Sequence, residues 1–442
     1  MQRFAILASL TAALALVSPE SVHAQDVCAP GLALGAAQPV GPFDAYATLH
    51  DSTRVVSDGL SVDHVGADGQ LLLHLGSYPA YVFPSFVLLA PDESFALVGE
   101  SSTGGIERFE LDGSPQSTVG GIAFNYDALF EDAGHVLVSA DTSGTFQNQI
   151  LRLDLSNGAL TLVAQLSGPS GPFARRASSG ELFVGLVDLT LPDHDQVLRF
   201  EASQLGSGAV LGVADAQVFA SGLPNVAALR IDERYDSAGL GYWRVLLAIA
   251  PFGAPSTIAC FAADGTRLAD LATSPDSISN LELHSGPSAG CFAPWQPDAG
   301  ETLSYRGTTF CFPNCTNAEL RHIEPRRAQA SIGGPGLGNP LGGSVTLALD
   351  GCVPNASAWL LLGPQGLYST SEATRVHPDG FLWHSGLAWS PLRRLVLLPT
   401  DALGHASFTY QNPGSLNGTH AFQALVRAAN GVTVGSSTSV LN

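Results

Sequence analysis

Apolar and polar positions in the first 285 residues keep returning to one eight-residue shape. Ile106–Gly113 reads IERFELDG, Val62–Gly69 reads VDHVGADG and Ile258–Gly265 reads IACFAADG. Each opens on an apolar residue, has a second one three places on, and closes on Asp-Gly. Two looser copies are Ile150–Gly158 (ILRLDLSNG) and Val197–Ser203 (VLRFEAS). The five starts, at 62, 106, 150, 197 and 258, recur at the interval of a repeat architecture. Within each copy the alternation predicts a strand with one buried face. The closing Asp-Gly or Asn-Gly supplies the positive φ of a tight hairpin.

Each copy has neighbours. An apolar strand is predicted before it at Phe95–Val98, His135–Val138, Leu182–Leu186 and Val245–Ile249, and another after it at Leu71–Leu75, Thr161–Gln165 and Gln217–Ala220. A fourth precedes these three at Phe86–Leu89, Ala128–Phe130, Phe173–Arg175 and Val226–Leu229. Four antiparallel strands per ~45 residues make the blade of a β-propeller. The first copy, near Thr53–Leu75, lacks a clear inner strand, and Ser279–Leu283 is an inner-type strand with no evident partners. Joined, the two ends complete one blade and close the ring, which favours five blades. Ala45–Thr48, read as a further inner strand, leaves six open.

The texture changes after residue 300. Residues 301–343 read as a linker rich in Pro, Gly and Cys, with GGPGLGNP at Gly333–Pro340. Seven short strands then follow, from Val345–Leu349 to Val432–Ser436, as in an Ig-like β-sandwich. The expected organisation is all-β: a signal peptide over 1–24, a propeller over 25–300, the linker, and a sandwich over 344–442. The leader reading rests on the apolar run Phe4–Val17 followed by Val22-His23-Ala24, with small residues where a signal peptidase reads. It implies an exported protein, extracellular, at the cell surface or periplasmic.

The propeller repeats resemble those of the NHL and YVTN class of secreted bacterial propellers, and Ile106–Gly113 matches best. The tail stretches Thr400–Ala406 and Gly418–Ala424 resemble C-terminal β-sandwich modules of secreted bacterial proteins. Some propellers of this shape are calcium-dependent lactonases that place a Glu, an Asn and an Asp around the channel. The resemblance implies that activity only as an alternative, because the set is not placed residue by residue here.

Charge narrows the function classes. The net charge is −20 and all 19 basic residues are arginine. Schiff-base catalysis by lysine is excluded, and the acidic balance argues against nucleic acid. Six cysteines, Cys28, Cys260, Cys291, Cys311, Cys315 and Cys352, are disulfide candidates in an exported chain. Ring closure suggests Cys28 with Cys291, and the other pairings stay open.

Chemical motifs in loops carry little. Gly286–Gly290 fits G-x-S-x-G, yet Cys291–Pro297 cannot form the helix a nucleophile elbow needs. Asp193-His194-Asp195, His322-Ile323-Glu324 and His377-Pro378-Asp379 read as surface loops. Asp232, Glu233 and Asp236 lack the order of a calcium loop. Trp359, Trp383 and Trp389 read as sandwich core. The propeller channel is the better candidate site, with Asn125, Asp127, Arg175, Asn225, Asn280 and Glu282 on or beside inner strands. The leading expectation is a binding or scaffold protein for an extracellular protein, glycan or small molecule. No metal or cofactor is expected, and calcium enters only with the lactonase alternative.

Overall fold

The Asp-Gly signature forms its turn and also serves a second purpose. Gly69, Gly113, Gly158 and Gly265 all have φ between 74° and 84°. The preceding Asp68, Asp112 and Asp264 accept a hydrogen bond from the backbone N–H two residues on, as Asx turns do. A Cβ on Gly158 would stand 2.8 Å from the Val119 carbonyl oxygen, and one on Gly265 would stand 1.9 Å from that of Phe219. Each of these turns therefore presses on the outer strand of the sheet before it. Glycine is needed for that approach as well as for the positive φ.

A computed structural model of the chain describes residues 27–28, 32–34, 45–188, 193–233, 243–251, 253–284, 302–308, 318–325 and 329–333, and beyond these 341–350, 352, 356–364, 374–376, 382–384, 393–401, 405–412, 414, 420–427, 433–435 and 439–440. The stretch read as a signal peptide, the G-x-S-x-G stretch, Cys291, Cys311, Cys315, Asp236, His377–Asp379 and Trp389 lie outside the described residues.

Six antiparallel sheets follow one another from Ala45 to Pro325. The first is Ala45–Thr48, Arg54–Ser57, Ser61–Val65 and Leu71–Ser77. The second is Pro84–Leu89, Phe95–Glu100, Gly105–Glu110 and Ser117–Gly121, and the third is Asn125–Phe130, His135–Ala140, Gln149–Asp154 and Leu160–Gln165. The fourth is Phe173–Arg175, Leu182–Leu186, Asp195–Phe200 and Gln217–Leu223. The fifth is Val226–Asp232, Arg244–Ile249, Ser256–Ala262 and Arg267–Ser274. The sixth is Ser277–His284, Thr302–Thr308 and Ala318–Pro325 with an outer strand, Leu32–Leu34, supplied by the N-terminal segment.

Hydrophobic clusters sit between successive sheets. Val55, Val62 and Leu75 of the first sheet pack against Val87, Val98 and Phe109 of the second. The pattern continues to a cluster of Ala228, Leu246 and Ile258 with Ile278, Leu281 and Tyr305, which joins the fifth to the sixth. Tyr46, Val56, Val65 and Leu320 then join the sixth back to the first. The inner strands pack in the same cyclic order, the sixth against the first. The chain is a β-propeller, with its apolar area buried between sheets and a channel along the axis.

Two expectations change. Ala45–Thr48 and Ser277–His284 do not share a sheet; each heads its own. The stretch read as a linker holds Thr302–Thr308, Ala318–Pro325 and Gln329–Gly333, all strands. The first two extend the sixth sheet, so the propeller runs past residue 300. Closure comes from Leu32–Leu34, while Val27–Cys28 pairs with Ala272 and Thr273 as a fifth strand of the neighbouring sheet. One short segment thus covers two otherwise open edges.

The C-terminal part has two sheets over one core. One is Gln329–Gly333, Gly343–Asp350 and Ala406–Asn412; the other is Arg393–Pro399, Ser357–Pro364, His420–Arg427 and Thr433–Gly435. Val345, Leu347 and Leu349 of the first meet Ala358, Leu360, Leu362 and Phe422 of the second. Trp359 alternates with those core positions and is half-buried. No helix among the described residues is long and apolar enough to cross a membrane.

Candidate functional site

Inner strands carry a shared irregularity. The register shifts between Pro84 and Phe86, Asn125 and Asp127, Val226 and Ala228, and Ile278 and Asn280. A bulge near the start of an inner strand re-aims the side chains that follow. Here it turns polar residues of several sheets toward one cavity of about 680 Å³, walled by all six inner strands. That volume is in the range of small-molecule sites.

Arg230, on the fifth sheet, is the hub. Its Nη1 lies 3.6 Å from Asp127 Oδ2 of the third sheet and donates to the Leu229 carbonyl at 2.7 Å. Its Nη2 donates to Asn280 Oδ1 of the sixth sheet at 3.4 Å. Thr48 Oγ1, on the first sheet, donates to Glu282 Oε2 at 2.9 Å. Burial pushes the Glu282 carboxyl up to about 7, against the pull of Arg230, Thr48 and Arg54. Burial likewise raises the Asp127 carboxyl, with Arg230 and the Phe173 N–H opposing it. Tyr126 donates from its hydroxyl to the Ala227 carbonyl at 2.8 Å, and burial raises its phenol.

The six residues singled out from the sequence have different fates. Asp127, Asn280 and Glu282 meet at the Arg230 hub. Asn125 lines the cavity wall, but its amide donates to the Glu100 and Ile122 carbonyls at 2.8 and 2.9 Å and so fixes the strand entry. Arg175 also lines it, while donating to the carbonyls of Glu131 at 3.1 Å and Gly180 at 3.3 Å. Asn225 is a correction. Its φ is 52° and its amide donates to the Ala250 carbonyl at 2.6 Å, so it shapes a turn and does not line the cavity. Arg230 and Thr48 were missed. Arg230 lies inside the strand Val226–Asp232, two residues before Asp232, whose neighbouring acids read more readily as ligands.

Asp232 and Glu233 are committed elsewhere. Asp232 is buried and accepts from Arg244 Nε at 2.7 Å. Glu233 accepts from the Ala177 and Ser178 backbone N–H groups. Asp195 is buried too, accepting from the Asp188 and Val226 N–H groups at 2.7 and 2.9 Å. That corrects its reading as part of an exposed loop. Cys260 is a free thiol deep between strands, with its ionisation pushed up by burial, which removes it as a disulfide candidate.

To a divalent cation the channel offers the carboxyls of Asp127 and Glu282 and the amide of Asn280. Among the described residues no group of three or more His, Cys, Asp or Glu side chains stands together. The guanidinium of Arg230 already acts as the counter-charge to the channel carboxylates.

The chain is similar in structure to a gluconolactonase from Xanthomonas campestris, at 16% identity over 70% of this chain and 99% of that one, with a TM-score of 0.48. It is also similar to a calcium-binding regucalcin from Agrobacterium tumefaciens, at 11% identity over 66% and 93%, TM-score 0.44. A third is the soluble aldose sugar dehydrogenase of Escherichia coli, at 12% identity over 67% and 100%, TM-score 0.45. No protein-family profile matches the sequence, and no curated protein matches it. The propeller assignment rests on the sheets themselves, and no activity transfers from these neighbours.

Proposed function

We propose that the protein is an exported six-bladed propeller that holds a small polar molecule in its channel. The observation that carries this reading is the convergence of Asp127, Arg230, Asn280 and Glu282 from three sheets on one ligand-sized cavity. These groups offer a cation, two carboxyls of raised pKa and an amide to a ligand rich in oxygen atoms. Charges retained in a partly dry channel cost stability, and ligand recognition is the usual compensation. A hydrolase of lactonase type is the second reading. It is favoured by Glu282, whose carboxyl exchanges its proton near neutral pH, as a general acid or base must.

The test is calorimetry on the full chain against polyols, hydroxy acids and lactones, with wild type and Arg230→Met. Saturable binding that Arg230→Met weakens at least tenfold supports the channel site; binding indifferent to that change overturns it. Lactone opening, followed as proton release with and without a chelator, decides between the readings. Turnover lost in Glu282→Gln promotes the hydrolase.

A further inference from the structure

The cavity that holds the Arg230 hub opens onto a hydrophobic rim. Five large hydrophobic side chains stand about half exposed on loops at one end of the propeller: Leu60, Tyr81, Phe83, Phe124 and Phe146. They lie on four loops, which join second to third strands, or one sheet to the next inner strand. Antiparallel order puts both kinds of connection at the end where inner strands begin.

Hydrogen bonds tie these loops together. The Ser101 N–H donates to the Phe83 carbonyl at 3.0 Å, and the Phe124 N–H donates to the Ser101 carbonyl at 3.2 Å. The Asp141 N–H donates to the Phe124 carbonyl at 3.3 Å, and Asp141 Oδ2 accepts from the Phe146 N–H at 2.7 Å. Tyr81 meets Phe83 edge-on, with ring centres 5.0 Å apart.

The backbone is strained there. Phe124 has φ 50° and Phe146 has φ 61°, conformations in which a bulky side chain is uncommon. Such strain collects at ligand clamps. The rim also passes directly into the cavity wall. Pro84 and Ser85, which follow Phe83, line the cavity, as do Asn125, which follows Phe124, and Ser101, which bonds to both.

Hydrocarbon at the mouth and oxygen-binding groups below specify a ligand with both characters. We propose that the rim is the second half of the ligand site, and that the ligand is a small amphipathic molecule. Its oxygen-rich head sits by Arg230, Asn280 and Glu282, and its hydrocarbon tail lies across Phe83, Phe124 and Phe146. The proposal rests on the channel being a ligand site.

The probes are 1-O-alkylglycerols from methyl to octyl, titrated calorimetrically into the full chain below their micelle concentrations. Burial of each added methylene at the rim tightens binding about fourfold. In Phe83→Ser/Phe124→Asn/Phe146→Asn that slope falls below twofold. Asparagine tolerates positive φ, so the two strained positions are relieved and the variant folds. Arg230→Met weakens every member by a common factor and leaves the slope intact. Head-group binding that ignores tail length overturns the rim and leaves the channel reading standing. No binding by any member overturns the amphipathic ligand, and the channel reading is then decided by the polyols, hydroxy acids and lactones.

Discussion

Glu282→Gln should make the protein more stable, and only at the pH where the carboxyl ionises. The folded protein raises this group from 4.5 to about 7. The folded state therefore binds the proton more tightly than the unfolded one. Stability from this group is complete below about pH 4.5, falls as pH rises toward 7, and is absent above it. About 2.5 units at 1.36 kcal/mol each is ~3 kcal/mol. Contact with cavity water reduces this to about 2 kcal/mol. Glutamine mimics the protonated acid and keeps an acceptor for Thr48. Urea unfolding of wild type and variant at pH 4 and pH 8.5 is the assay. The curves should coincide at pH 4, with the variant about 2 kcal/mol more stable at pH 8.5. Equal stability at both, or a less stable variant at pH 8.5, refutes the view that Glu282 is held at a net cost.

Glu100 should show the opposite behaviour. Burial pushes its carboxyl up, but hydrogen bonds from Ser102 and Thr103 outweigh that and hold it below the ordinary value. Glu100→Ala strands the Ser102 and Thr103 N–H groups, each 2.5 Å away, and should cost about 2–4 kcal/mol in urea unfolding at neutral pH. That loss should shrink as pH falls through the folded pKa. Gly265→Ala combines φ 84° with a Cβ 1.9 Å from the Phe219 carbonyl oxygen. It should lower the unfolding free energy by about 2–4 kcal/mol. Deleting residues 1–44 uncovers the outer edges of the fifth and sixth sheets, and should produce concentration-dependent association in sedimentation velocity.

The sheets legible in the sequence were those that repeat a local signal. The second to fifth each show an apolar second strand and an alternating third strand, and the second and fifth add Asp-Gly at the same offset. The sixth has none of this. Its third strand, AELRHIEP over Ala318–Pro325, is largely polar, and its fourth comes from residues 32–34, far away in sequence. A partner found only by closing a ring leaves no periodicity to read. The channel was partly legible for a related reason. Asn280 and Glu282 are two apart beyond their bulge and point the same way, as alternation requires. Asn125 and Asp127 are also two apart, but the bulge lies between them. Spacing alone cannot separate a strand-fixing amide from a channel carboxylate across such a shift. Asn225 failed at the backbone, because its left-handed conformation turns it into a cap on Ala250.

The direction of each acid's shift adds a second criterion for the site. Glu100, Asp141 and Glu181 are all buried acids whose hydrogen bonds hold them below the ordinary range despite burial. Each ties down a loop or an arginine, and its charge stabilises the fold. Asp127 and Glu282 are raised, because the channel takes more from their solvation than Arg230 and Thr48 return. Direction alone does not decide the matter. Asp195 is also raised by burial, while it accepts the Asp188 and Val226 N–H groups in a role that is plainly structural. What separates the channel pair from Asp195 is access. Both face a cavity large enough for a ligand, and both are coupled to one arginine from a third sheet. A fold under selection for stability alone has no use for two costly carboxyls there, since neutral side chains would pack at lower cost. Their placement is intelligible if a ligand is what they recognise.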